Sequence, residues 1–196
     1  MKTNVKNYSD RRLLNRVAKL DTFKGWKAGY FVIYVRSNED GFDQFDDKKY
    51  TYHYTMGDKF PRFCRVDSCT TNTGSYGLFK YNKYNKLGVA VLQSDHMVYN
   101  AFKLGYSKGS VCYREHKAWG HYRDANKNKK TEEKGKLYYK HIYAHIHGVK
   151  SKYAIINRIY NWSTGCLVDN STTEYKRWLD LLGKQKYLTA VILKEF

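Results

Sequence analysis

The chain is poor in proline, with one residue, and poor in acid, with 18 Asp and Glu against 36 Lys and Arg. A single proline in 196 residues, 42% of them hydrophobic, excludes a Pro-rich or polar disordered chain. No stretch approaches the roughly 18 consecutive apolar residues of an ordinary transmembrane helix. Cysteine is also sparse: Cys64, Cys69, Cys112 and Cys166 form no CxxC pair, which excludes a zinc ribbon or a thioredoxin-type motif. Cys64 and Cys69 lie too close in sequence to close more than a tight loop. The expected state of most of the four is a free, buried thiol in a reducing compartment. The leading segment, MKTNVKNYSDRRLLNRVAKLD, lacks an uninterrupted apolar core, so no secretory signal is expected there.

What is abundant is positive charge, tyrosine and aromatic surface. The formal net charge of +18 attracts polyanions: nucleic acid, an anionic membrane, or anionic wall polymers. Lys, Asn and Tyr are enriched together, as A/T-rich coding also produces, so charge alone names no partner. Aromatic residues make up 17% of the chain and tyrosine alone numbers 20, which favours strands over a helical bundle. The length suits one domain, 1–196, with residues 1–24 as an N-terminal helical extension.

Along the chain, Ser9 or Asp10 caps a short amphipathic helix carrying Leu13, Leu14, Val17 and Leu20. Tyr30 to Val35 is a near-continuous apolar run, the pattern of a buried strand, and Ser37 to Lys49 reads as a hairpin connection. Strands are expected at Tyr50–Thr55, Phe63–Val66, Gly88–Leu92, Met97–Tyr99 and Leu188–Leu193. The small, polar stretch Thr70–Gly77 reads as a surface loop able to line a cleft, and Tyr122–Lys136 as an exposed loop. Lys140 to His147 alternates strictly, so a strand there places His141, Tyr143, His145 and His147 on one face and Ile142, Ala144 and Ile146 on the other. Thr173 to Leu182 has helical spacing, with Tyr175, Trp178, Leu179 and Leu182 as its apolar stripe. The resulting class is mainly β: a mixed, mostly antiparallel β-sandwich or curled sheet with one or two flanking helices. The run Phe79–Lys86 interleaves aromatic and basic residues, suited equally to an exposed hairpin or to stacking nucleobases.

The pattern that carries chemistry is His145-Ile146-His147-Gly148, then fourteen residues, then Ser163-Thr164-Gly165-Cys166. A cysteine after a small, glycine-containing turn is exposed to attack a carbonyl, with backbone N–H groups at hand for an oxyanion. A histidine on a neighbouring strand can take the thiol proton. Three alternating histidines on one strand also suit zinc, but no carboxylate is placed to complete the set, so neither metal nor cofactor is expected.

Ile146-His147-Gly148 followed after the same gap by Ser163-Thr164-Gly165-Cys166 resembles the signature of the L,D-transpeptidase (YkuD-like) family, and Trp162 to Cys166 with Tyr122-Arg123-Asp124 resembles phage-encoded members. The resemblance covers residues 138–196. It implies a YkuD-like fold and cysteine-dependent acyl transfer or hydrolysis on peptidoglycan stem peptides through a thioester. By the same resemblance Cys166 is the nucleophile, His147 the base, and the N–H groups of Gly165 and Cys166 the oxyanion site. His145, Ser163, Thr164, Tyr143 and Arg123 then line the substrate site. Two departures stand out. Thr164 replaces a histidine of the family's turn, and Val168 replaces an arginine, leaving Arg114, Arg123 or Arg158 as candidates for a substrate carboxylate. The implied setting is a protein made in the bacterial cytoplasm and carried by a phage virion, or otherwise delivered to the wall, with virion proteins as further partners. The second function class is a structural virion or polyanion-binding protein that keeps the fold with weakened catalysis.

Overall fold

The computed structural model describes residues 6–38, 42–80, 86–150 and 155–196. The aromatic-basic run is therefore seen only at its ends, since 81–85 lie outside the described residues. In chain order the elements are α1 (Asp10–Ala18), β1 (Gly29–Arg36), β2 (Asp47–Tyr54), β3 (Arg62–Thr70), α2 (Ser75–Lys80), β4 (Val89–Leu92), β5 (His96–Ser107), β6 (Ser110–Glu115), β7 (His121–Asp124), β8 (His145–Gly148), β9 (Leu167–Asp169), α3 (Thr172–Leu182) and β10 (Tyr187–Lys194). Among the described residues no helix is long and apolar enough to cross a membrane.

The mainly β class holds, and the sheet closes on itself. Eight strands form a barrel in the order β1-β10-β5-β6-β8-β9-β3-β2, while β4 and β7 make a separate two-stranded ribbon. Closure removes the exposed edges that a sandwich or curled sheet must protect. Two neighbouring pairs, β1–β10 and β8–β9, are parallel.

The apolar runs of β1 and β10 follow from burial on both faces. Val32, Tyr34, Ala190 and Ile192 join Tyr113, Ile146, Leu167 and the α3 residues Tyr175, Trp178 and Leu182 in one cluster. Phe31, Ile33, Val35, Val191 and Leu193 face the other way and are covered by Leu13, Leu14 and Val17 of α1 with Tyr8 and Leu20. The N-terminal extension is thus one wall of the core. Ser9 holds the N-cap position of α1 in extended backbone, without a side-chain capping bond. Ser171 caps α3, its hydroxyl accepting from the Glu174 N–H at 3.3 Å.

Three expectations need correction. Thr70–Thr73 is buried, not a surface loop, because Asp47 accepts from both the N–H (2.6 Å) and the hydroxyl (2.7 Å) of Thr71; the stretch then continues directly into α2. Residues 121–124 are strand, antiparallel to β4, with Arg123 opposite Ala90. The strand expected over 140–147 starts only at His145. Glu115, whose carboxylate accepts from the N–H groups of Ile142 (2.8 Å) and Ala144 (3.3 Å), captures the chain before it can pair, and Tyr143 takes a left-handed φ of 58°.

Inside the barrel sits a fully buried ammonium. Lys49 contacts the carboxylate of Asp169, lies 3.6 Å from that of Asp67, and stands 3.8 Å over the Trp178 ring. Burial pushes the Asp169 carboxyl up to about 6, the Lys49 charge pulling against it. Removing one partner of a buried ion pair strands the other charge. Lys49→Met is therefore expected to destabilise the protein by roughly 3–5 kcal/mol in denaturant titration, with Asp169→Asn added to it recovering much of the loss. A wild-type midpoint for the single variant would show that this ion pair does not anchor the barrel.

Candidate functional site

The parallel pairing of β8 and β9 builds the site. Ile146 lies opposite Leu167 and His147 opposite Val168, so Cys166, one position before β9, comes level with His145. Ile146 and Leu167 point into the barrel, which turns His145, His147, Cys166 and Val168 to its outer surface. There Val168 packs with Phe45, Val149 and Ile159, and Cys166 and Trp162 lie against that cluster. Gly148 lets α3 close on β8: a Cβ there would sit 2.7 Å from the Cβ of Tyr175, whose hydroxyl donates to the Ile146 carbonyl at 2.8 Å.

The turn before the cysteine is held from three sides. The Ser163 hydroxyl donates to the Cys166 carbonyl (2.8 Å) and accepts from the Gly165 N–H (3.3 Å). The Gly74 N–H donates to the Ser163 carbonyl at 3.0 Å, and a Cβ on Gly77 would lie 3.1 Å from the Thr164 methyl, so the start of α2 backs the turn. Gly165 has a φ of +126°, where L side chains are strained, and a Cβ there would meet Ala90 of β4 at 3.2 Å. Only glycine meets both conditions. Asp43, unremarked in the sequence, braces the preceding loop: its buried carboxylate accepts from the N–H groups of Ser75 (2.8 Å) and Tyr160 (2.6 Å) and from Arg158 (3.0 Å).

Burial leaves Cys166 and His147 each uncharged near neutral pH. Burial pushes the Cys166 thiol up to about 11, although the backbone N–H of His145 and the charge of Lys108 favour the thiolate. His147 is held below the ordinary histidine value by burial, and by the ammoniums of Lys108 and Lys150. Its Nδ1 lies 3.0 Å from the Gly148 carbonyl oxygen. A carbonyl only accepts, so Nδ1 donates to it, and the backbone of Trp162 also favours the protonated ring. His145 is lowered by burial, then by His147 and Arg114.

The other expected residues separate. Tyr143 is 74% exposed and its left-handed backbone takes it out of the strand face. His141 likewise lies outside β8, 3.8 Å from Glu115. Among the described residues no group of three or more His, Cys, Asp and Glu is placed to hold a metal ion. Arg123 shares a ribbon face with Ala90 but donates to the Gly88 carbonyl at 3.3 Å, and Arg158 is paired with Asp43. Arg114, opposite His145, is exposed. The Gly165 N–H, expected at an oxyanion, is directed to Ser163. Comparison with protein-family models, curated proteins and solved structures gives no match.

Ser163 is the staple of the turn. Ser163→Ala leaves the Cys166 carbonyl and the Gly165 N–H without this partner, and the expected loss is about 1–3 kcal/mol by thermal or denaturant unfolding. An unchanged stability would show that the backbone holds the turn unaided.

Proposed function

We propose that the protein is a cysteine acyltransferase or peptidase of the L,D-transpeptidase type, acting on peptidoglycan stem peptides. The observation that carries this reading is the parallel β8–β9 register, which sets Cys166 and the two histidines on one outer face beside a turn that accepts only glycine. In this reading the Cys166 sulfur attacks the amide carbonyl that follows an L-configured centre, and His147 takes the thiol proton. The carbon–nitrogen bond breaks, the D-amino acid leaves as an amine carrying that proton, and a thioester remains. An amine or water then attacks the thioester and the thiol is restored. The backbone N–H of Cys166 is assigned to the oxyanion, since that of Gly165 serves Ser163. The proposed setting is a phage virion or delivery to the bacterial wall.

Because the thiol titrates near 11 and the imidazole below its usual value, the pair is neutral thiol and neutral imidazole at pH 7. The proton moves during attack and not before it. The rate of Cys166 alkylation by iodoacetamide should therefore climb from pH 7 to 10, about tenfold per unit, as the thiolate fraction grows. A plateau above pH 7 would instead mean a preformed thiolate–imidazolium pair.

The second reading, a structural or polyanion-binding protein with weakened catalysis, is favoured by that same raised thiol and by the charge of +18. Intact-protein mass spectrometry after treatment with a carbapenem separates the two. The enzyme reading expects one adduct per chain, absent in Cys166→Ala and slowed by on the order of a hundredfold in His147→Ala. A folded chain that takes no adduct overturns it in favour of the second, for which steeply salt-dependent nucleic-acid binding is the next expectation.

A further inference from the structure

Strand direction sorts the charged residues to the two ends of the barrel. β2, β5, β8 and β9 finish at the end where β1, β3, β6 and β10 begin. The β2–β3 and β5–β6 hairpin turns, the lead into β1 and both ends of α3 therefore meet there, and Tyr175, Trp178 and Leu182 of α3 pack into the barrel core from that side. The opposite end is the acidic one, with Asp43, Asp46, Asp95, Glu133 and Glu195 on its connections. Cations at that end are bound: Arg36 and Lys194 meet Glu133, and Arg16 meets Asp95.

The α3 end differs in both charge and polarity. Lys27, Lys59, Lys108, Lys176, Lys184 and Lys186 stand exposed on its connections and on the outer side of α3. Glu174 is shared by Arg65 and Arg177, which leaves the exposed acids Asp58 and Asp180 beside six lysines. Both hairpins also present apolar groups at this end. The Asp58 N–H donates to the Thr55 carbonyl at 3.0 Å and Gly57 has a φ of 95°, so Thr55–Asp58 is a type II turn with Met56 at its corner. Met56 is 75% exposed and Phe60 is 59% exposed, with the Lys59 ammonium 5.8 Å from the Phe60 ring. On the other hairpin Tyr106, 70% exposed, pairs with Val111 just before the Lys108–Gly109 turn. A single exposed apolar side chain is ordinary. Three at one end of a barrel, among exposed lysines, form a surface.

We propose that the α3 end of the barrel docks on an anionic lipid bilayer, with Met56, Phe60 and Tyr106 entering the headgroup layer and the lysines facing lipid phosphates. Charge complementarity selects an anionic partner. The surface potential of a bilayer falls off within a Debye length, so it rewards basic residues gathered on one end of a molecule more than the same charge spread around it. The apolar tips select lipid over nucleic acid. A base needs a flat ring to stack on, which Met56 does not offer, whereas acyl chains accept a thioether and a phenyl ring alike. Cys166 precedes β9 and so lies towards the opposite end, and this surface does not rest on its reading as a nucleophile.

The test is flotation of the full chain with two kinds of vesicle, one of phosphatidylcholine alone and one of phosphatidylcholine and phosphatidylglycerol in equal parts. Binding is expected to the mixed vesicles only, and it weakens as salt rises. The tip variant Met56→Ser, Phe60→Ser is expected to weaken it by on the order of tenfold. The charge variant Lys176→Gln, Lys184→Gln, Lys186→Gln is expected to weaken it by on the order of a hundredfold. All five positions are exposed, so near-ultraviolet circular dichroism should stay native in both variants. A folded native chain that does not float with the mixed vesicles would overturn the proposal. Flotation untouched by the tip variant would overturn it too, since attraction by net charge alone would then suffice. Oligodeoxythymidylate bound more tightly than the vesicles, and released by both variants, would assign this end to nucleic acid instead.

Discussion

Lys49 is a primary ammonium with no exposed surface, and a charge so placed exists only where opposite charge and polarisable rings surround it. Its partners come from different parts of the chain. Asp67 lies directly across from it on β3, Asp169 is the last residue of β9, and Trp178 belongs to α3. Satisfying one ammonium therefore fixes the end of β9 against β3 and draws α3 into the barrel. Asp169 is three residues past Cys166, and β9 is only three residues long, so the position of the cysteine depends on this anchor more than on its own hydrogen-bonded ladder. The outward turn of Cys166 and the inward turn of Asp169 are two results of the same alternation.

Glycine is spent where elements must approach closely. Gly148 admits Tyr175 to β8, Gly165 admits Ala90 to the turn, and Gly77 admits the turn to α2. Each contact presses a different element onto the segment that carries Cys166 or His147. The result is a rigid frame around a thiol that is itself desolvated, which is why the sulfur is well placed and yet little ionised. Rigidity and low ionisation have one origin, the packing of Trp162, Val168 and Ile159 about the cysteine.

The local features were legible in the sequence and the non-local ones were not. The α1 stripe, the α3 stripe and the apolar runs of β1 and β10 follow from periodicity and burial within a dozen residues. That His145 and His147 share one face of β8 follows from the same kind of local alternation. Closure of the barrel was not, because the pairing of β1 with β10 joins opposite ends of the chain. The 140–147 segment shows the difference within one stretch. Its alternation is real, and Ala144 and Ile146 are buried as it demands. Yet Glu115, about thirty residues away in sequence, claims two of its N–H groups and ends the strand. Thr70–Thr73 looks like loop by composition for the same reason: nothing nearby announces that Asp47 will bury it.

Charge obeys the same division. A net +18 read from composition distinguishes no face of the molecule, and a polyanion is the natural partner to name from it. Once folded, part of that charge is consumed internally: Lys49 by Asp169, Arg36 by Glu133, Arg65 by Asp67 and Glu174, Arg158 by Asp43. Arg158 bonds Asp43 through Nε while its side chain stays largely exposed, and Arg123 donates to the Gly88 carbonyl. What remains near the cysteine is concentrated on the hairpin side, because the β9 side is filled with apolar side chains that exclude a charge there. An asymmetry of this kind orients a ligand as well as attracting it.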